Sequence, residues 1–415
     1  MKEGSSGKLL KNTFYLYLVT VVKLVAPLIT LPYLTRVLSV SAYGTVSFVK
    51  AYCTYVMLFI DFGFLLSATK NIVQCKNDAA KIGVIGGDTI VEKTILTAIA
   101  LAATIPLCFI MPILKSNIAF TLLYFSSCAA TIGIIDFLYR GIEKMEYVAI
   151  PFTLSKIIVI LLTFILIKSD DSLLLMPVLE LTGNITAAIV SIAFLRSLGI
   201  KLSISGEETW IRDLKDSGVY FLSNFATTFF GALTTIFVGL FMSSTEVAIW
   251  SVSMMVVSAV KAMYSPISNS LYPHMIVTKD LKLINRVAGY LTIPLVIGCT
   301  IIVIYGEPIM AVFASEKYIE SAKVLVYLIP VFVFSLYSML YGWPVLGSIN
   351  KRNETTATTA IAALVQLIGL ISLVCLNAFN LYSLAICCGL SEAILLITRL
   401  IILIRNRHMF SKSNQ

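Results

Sequence analysis

Nine charged side chains fall inside stretches of this chain that otherwise read as lipid-spanning helix: Lys23, Lys50, Asp61, Asp136, Lys156, Glu180, Lys261, Glu392 and Arg399. A charge at membrane depth is costly unless it faces a protein interior or a wet cavity. Five of the nine are basic, so the chemistry they suit is electrostatic: the escort of an anion through an apolar medium. Lys23, Lys50, Lys156 and Lys261 are the candidate cations of such a cavity. Lys23 and Lys261 lie deepest. Lys156 and Arg399 are near enough to a span end for their long stems to carry the charge out to the headgroups.

The acidic members suit a different task. Asp61 and Asp136 sit towards the inner ends of their spans, where gating or a structural pairing is expected. Glu180 and Glu392 are candidates for a carboxylate that titrates or holds Na⁺, because burial raises a carboxyl pKa and a neighbouring cation lowers it. Each is equally suited to pairing with one of the lysines. Spacings of four, three and four place Lys50, Thr54, Met57 and Asp61 on one helix face. Lys50 and Asp61 are then ~16 Å apart along the axis, too far for a direct pair. Thr20, Lys23, Pro27 and Thr30 form a similar face, as do Asn224, Thr228, Gly231 and Thr235. Thr54, Asn224 and Thr228 are therefore candidate polar walls of the cavity.

The elements that must position these residues are transmembrane helices. Of 415 residues, 58% are hydrophobic and 13% charged, with mean hydropathy +0.93; soluble domains are nearer a quarter charged. Apolar runs of about 20 residues, the length that crosses the hydrocarbon core, recur at 13–34, 44–67, 90–111, 117–138, 149–167, 173–194, 218–241, 247–270, 288–310, 323–346, 356–376 and 380–403. The expected architecture is an all-α integral membrane protein of about 12 spans. Apart from the five basic residues above, twenty-one Lys and Arg fall towards one side against five towards the other, which by the positive-inside rule puts both termini in the cytoplasm. The first span follows a basic leader without a small-residue cleavage site and is expected to be retained.

The longer polar segment before 218 carries Trp210, Ile211 and Leu214 among charges and reads as interfacial. It divides the chain into an N-terminal six-helix lobe (1–195), an inter-lobe cytoplasmic linker (196–217) and a C-terminal six-helix lobe (218–415). A weak internal repeat supports the division: Leu38–Ser47 can be laid over Met242–Ser251, each opening the second span of its half. Two six-helix bundles around a central cavity follow as parallel repeats.

Several functions are excluded on composition. The only histidines, His274 and His408, are too few for a His-based metal site. The eight cysteines show no metal or disulfide spacing,. There is no P-loop, and Gly83, Gly86 and Gly87 do not form a nucleotide fingerprint. The net charge of +9 reflects topology and attraction to anionic lipid, with no basic stripe interleaved with aromatics for nucleic acid. No constellation supports an enzyme, and no cofactor is implied.

Leu31-Pro32-Tyr33-Leu34-Thr35-Arg36-Val37-Leu38 followed by Tyr43-Gly44, Asp61-Phe62-Gly63-Phe64 with Ser67-Ala68-Thr69-Lys70, Asp136-Phe137-Leu138-Tyr139-Arg140-Gly141-Ile142-Glu143-Lys144-Met145, and Leu271-Tyr272-Pro273 stand in an order and at span positions that resemble bacterial polysaccharide flippases. Such proteins form part of the multidrug/oligosaccharidyl-lipid/polysaccharide superfamily. Phe137 departs from the family's usual Trp, and Arg140 from its usual Gln. The resemblance implies alternating access in the bacterial inner membrane. It also implies a substrate: an undecaprenyl-pyrophosphate-linked oligosaccharide, such as an O-antigen repeat unit, moved from the cytoplasmic to the outer leaflet. Lys23, Lys50, Lys156 and Lys261 would engage the pyrophosphate. Coupling to H⁺ or Na⁺ and association with a polysaccharide polymerase or glycosyltransferases are further implications. Two alternatives remain. A drug antiporter of the same superfamily would be expected to line its cavity with acid for cationic substrates. A membrane polymerase or ligase would be expected to carry long outer loops with catalytic groups.

Overall fold

The computed structural model describes residues 5–410, with side chains from Lys11 onwards except Ser223 and 226–232. All regular structure among these residues is helical. The chain forms two compact units, with the boundary between Ile236 and Phe237. The first contains α1 (Ser5–Val37), α2 (Val40–Asp61), α3 (Phe64–Gln74), α4 (Ala79–Ile110), α5 (Pro112–Lys115), α6 (Ile118–Ala130), α7 (Asp136–Gly141), α8 (Glu146–Leu166), α9 (Leu175–Ser197) and most of α10 (Glu207–Phe241). The second contains α11 (Ser244–Thr278), α12 (Leu281–Ala314), α13 (Glu320–Tyr327), α14 (Ile329–Leu340), α15 (Arg352–Cys375) and α16 (Leu381–Arg405).

Among the described residues, eleven helical segments are long and apolar enough to cross a membrane. The expected seventh span, 218–241, lies within the continuous helix α10. The large apolar residues left on the outside, such as Phe109, Ile110, Ile189 and Val312, are what a lipid-facing surface requires, since a bilayer gives no reason to hide them. This is a multi-pass membrane protein.

Local chemistry explains where the helices start. Ser39 caps α2 by accepting the Ala42 N–H, and Ser243 caps α11 by accepting that of Glu246. Such caps satisfy N–H groups that have no partner within the helix. The two serines occupy equivalent positions in the Leu38–Ser47 and Met242–Ser251 segments, so the faint repeat marks the same helix start in each unit. In the first unit, Phe137, Leu138 and Tyr139 of α7 are wholly buried with Ile72, Ile82 and Ile135. The motif at 136–145 is therefore built around a packing core.

Residues 200–205 do not form a helix of their own; they run along α4. A Cβ on Gly83 would lie 2.0 Å from the Lys201 carbonyl oxygen, and one on Gly87 would lie 2.0 Å from that of Ser203. The glycines give the extended segment its track, and the Ser203 N–H donates to the Gly83 carbonyl at 3.2 Å. Asp88 fastens the far end. It accepts from the Ser205 N–H at 2.9 Å, the Ser205 hydroxyl at 2.7 Å and the Trp210 indole at 2.9 Å. Trp210 is thus anchored to α4 at the start of α10.

A side chain at Gly87 must displace this segment. Gly87→Val is expected to destabilise the fold by about 1–3 kcal/mol, the usual cost of overpacking, and to speed tryptic cleavage after Lys201. Gly206→Ala, where the added Cβ meets nothing within 4 Å, is the control and should cleave like wild type. Unchanged protection of Lys201 in Gly87→Val would contradict the seating.

Candidate functional site

In the first unit, the intramembrane charges gather on α2, α8 and α9. Glu180 of α9 accepts from Lys156 Nζ of α8 at 2.9 Å, and its other oxygen lies 3.5 Å from Lys50 Nζ of α2. Lys50 also stands 6.0 Å from the Tyr124 ring centroid. Asn184, one turn beyond Glu180, donates its amide to the Ser127 carbonyl and hydroxyl, both at 3.0 Å, and so fixes α9 against α6. Thr54 donates to the Lys50 carbonyl at 3.0 Å, which keeps its hydroxyl close to its own helix.

Lys23 of α1 packs its ammonium over the Phe152 ring of α8 at 5.4 Å and makes no ion pair among the described residues. Phe152 and Lys156 lie one turn apart on α8, a rise of ~6 Å, so Lys23 approaches the same helix face as the triad. An aromatic face attracts a cation without neutralising it. Glu180 thus serves two lysines and Lys23 has no carboxylate, so these four side chains carry two net positive charges.

Asp61 is not part of this cluster. It pairs with Lys93 of α4 at 2.7 Å, and Lys93 also lies 5.5 Å from the Phe137 ring. Asp136 faces Lys93 and Arg140, with Arg140 Nε 3.7 Å from its carboxylate. Lys93 is a residue the sequence alone placed outside this set. Asp88 and Glu92, almost fully buried beside it, were missed as well. The Glu92 oxygens have no hydrogen-bond partner among the described residues, and its charged neighbours are Asp213 and Asp88. Burial and the nearby Asp88 hold the Asp213 carboxyl above the usual carboxylate range, although Arg212 opposes them. The available signal was the spacing Asp88, Glu92, Lys93 behind three glycines, a polar stripe that needs partners.

In the second unit, Lys261 of α11 pairs with Glu392 of α16 at 2.5 Å, and Ser338 of α14 donates to the other Glu392 oxygen at 3.4 Å. Arg399, two turns along α16, is buried. It donates to the Ser338 carbonyl, to Thr359 Oγ1 at 3.1 Å and to Thr358 Oγ1 at 3.4 Å. The helical path is interrupted at Gly342, whose ψ is −112°. A Cβ there would meet the Arg399 guanidinium at 2.7 Å. Arg399 therefore braces this break and does not snorkel. Asn224 is half-buried on α10; the Thr228 side chain lies outside the described residues.

Comparison with known proteins follows the same lines. Residues 9–279 match the family described as polysaccharide biosynthesis protein. The chain is 25% identical over 361 residues to a protein of Escherichia coli (strain K12) named "Putative O-antigen transporter", covering 83% of this chain and 85% of that protein. A Shigella dysenteriae protein of the same name is 26% identical over 349 residues, covering 81% and 86%. The fold is similar to that of the lipid II flippase MurJ in an inward closed conformation, with TM-score 0.70, 13% identity, and 95% of this chain and 87% of that one covered. It is also similar to an inward-facing multidrug resistance transporter of the MATE family, with TM-score 0.66, 12% identity and 94% of each chain covered.

The Lys93–Asp61 pair makes an asymmetric prediction, because the Lys93 side chain is 7% exposed and that of Asp61 is 36% exposed. Asp61→Leu removes the direct partner of a buried cation, leaving it to face Asp136 alone, and should cost up to about 3–5 kcal/mol. Lys93→Met leaves a half-solvated carboxylate and should cost clearly less, and the double variant should recover most of the loss. Denaturant unfolding in detergent checks the order; equal losses from both single variants would contradict it.

Proposed function

The chain belongs to the polysaccharide biosynthesis protein family, and from that premise we propose that it moves an undecaprenyl-pyrophosphate-linked oligosaccharide, an O-antigen or related repeat unit, from the cytoplasmic to the outer leaflet of the bacterial inner membrane by alternating access. The observation that carries this reading is the charge balance of the cluster on α1, α2, α8 and α9. Lys23, Lys50 and Lys156 against Glu180 leave two positive charges, and a pyrophosphate diester brings two negative ones. Glu180 holds Lys50 and Lys156, so neither is a fully stranded cation in a low-dielectric interior. An arriving pyrophosphate offers more oxygens in charge-assisted hydrogen bonds than one carboxylate can. Lys23, held only over an aromatic ring, is the cation most ready to turn towards it. The polyprenyl tail stays in lipid, so only the charged and sugar groups require a polar path.

Lys261 with Glu392 carries no surplus charge, so its proposed role is to bond polar groups of the substrate. Glu180 and Glu392 are the carboxylates through which H⁺ could couple to transport. The work done is translocation, with no covalent step. The names of the two bacterial relatives support a glycan-lipid substrate over a cationic drug, and so does the surplus positive charge.

Expression in a bacterium that lacks its own repeat-unit flippase but makes a matching lipid-linked glycan tests this. Wild type should restore surface polysaccharide. Lys23→Ala, at normal membrane abundance, should lower it at least ten-fold, and Lys23→Arg should retain most of it. Full export by Lys23→Ala would remove the charge-balance mechanism. A wild-type protein that failed to export the glycan but conferred resistance to cationic drugs would establish the antiporter instead.

A further inference from the structure

The second unit holds a pocket of about 350 Å³ lined by Ser265, Ser268, Asn269 and Tyr272 of α11, Met339 of α14 and Trp343 beyond it. Trp343 follows the break at Gly342 directly, in a π-helical turn spanning Tyr341–Leu346; such turns often mark functional positions. The break that Arg399 braces is therefore what presents the indole, and Trp343 is 47% exposed. Tyr272 meets it edge to face, with ring centroids 6.4 Å apart and planes at 78°. The two rings form a corner at the pocket, with the indole half-exposed.

The polar groups of this corner are largely unspent. Asn269 makes a long contact of 3.5 Å to the Ser265 hydroxyl. The Tyr272 hydroxyl and the Trp343 indole N–H make no hydrogen bond among the described residues. Serine and asparagine side chains on a membrane helix are disfavoured against lipid and belong against protein or a wet cavity. Spacings of four, three and four put Lys261, Ser265, Ser268 and Tyr272 on one face of α11. The pocket thus begins ~6 Å along the helix from the Lys261–Glu392 pair.

We propose that this pocket is a sugar subsite, holding a pyranose ring of the substrate with its apolar face against Trp343 and its hydroxyls on Asn269, Ser265, Tyr272 and the Lys261–Glu392 pair. The proposal rests on the flippase reading above and deepens it, giving the sugar a recognition element of its own in the second unit. The chemistry favours a carbohydrate because a pyranose has an apolar face of axial C–H groups ringed by hydroxyls. That matches a half-exposed indole beside small polar side chains. An apolar drug would leave the hydroxyl and amide groups unpaired on closure, which a binding site avoids. Trp343 and Asn269 act as specificity residues; neither takes part in holding the anion.

The test uses the full-length protein in lipid nanodiscs with five probes. These are bare undecaprenyl pyrophosphate and the same lipid bearing a single glucose, galactose, N-acetylglucosamine or N-acetylgalactosamine. Wild type should bind at least one glycosylated carrier about ten-fold or more tightly than the bare one. Trp343→Ala and Asn269→Ala should lose that preference while keeping wild-type affinity for the bare carrier, and Trp343→Phe should keep most of the preference. Thermal unfolding of each variant verifies folding. Equal wild-type affinity for bare and glycosylated carriers, or an undiminished preference in Trp343→Ala, would overturn the sugar subsite and leave the pyrophosphate mechanism standing. Failure of wild type to bind any of the five lipids would overturn the flippase reading and the subsite together.

Discussion

Every feature of this molecule that bears on function depends on how a charge is kept inside a membrane-spanning helix bundle. Water is not there to solvate it, so each ammonium must find a carboxylate, an aromatic face or a set of carbonyls and hydroxyls. The protein uses all three. Lys50, Lys156, Lys93 and Lys261 take carboxylates, Lys23 takes the Phe152 ring, and Arg399 takes the Ser338 carbonyl with two threonine hydroxyls. These solutions differ in how readily they can be exchanged. Arg399 is tied at several points to a helix break and serves the architecture. Lys23 is held least and is the natural first contact for an arriving anion.

The presence of these charges was legible in the chain because each interrupts a long apolar run, and a charge in such a run is never neutral background. Their partners were not. Glu180 lies 24 residues from Lys156 and 130 from Lys50, and only the packing of α2, α8 and α9 makes it common to both. That Lys50 and Asp61 could not pair was visible from helix geometry, and each is found with a different partner. Lys93 escaped notice because α4 begins at Ala79, well before its strongly apolar part. The helix opens at the Asp78 cap, which accepts the Lys81 N–H, and its first turns carry the glycine face for residues 200–205; a groove for a distant segment has no periodic signature. Arg399 looked free to reach the headgroups because its depth was judged by position along the span; its burial follows from the space left by Gly342.

The two units solve the same problem with different chemistry. Both open a long helix with a serine cap at equivalent positions, in keeping with the faint repeat between them. Beyond that start their interiors diverge. The first gathers Lys23, Lys50 and Lys156 near Glu180 in a cluster that retains a positive surplus. The second balances Lys261 with Glu392 and breaks a helix to expose Trp343 beside a polar stripe.

The most direct measurement is lipid transfer between leaflets of proteoliposomes containing the purified protein. Two short-chain polyprenyl lipids with the same oligosaccharide are compared, one linked through pyrophosphate and the other through a neutral ether. Charge recognition as the basis of transport predicts protein-dependent transfer of the pyrophosphate lipid and transfer of the neutral lipid no faster than in protein-free vesicles. Equal protein-dependent rates for the two would contradict it, since the surplus cations of the first unit would then play no part in selecting what crosses.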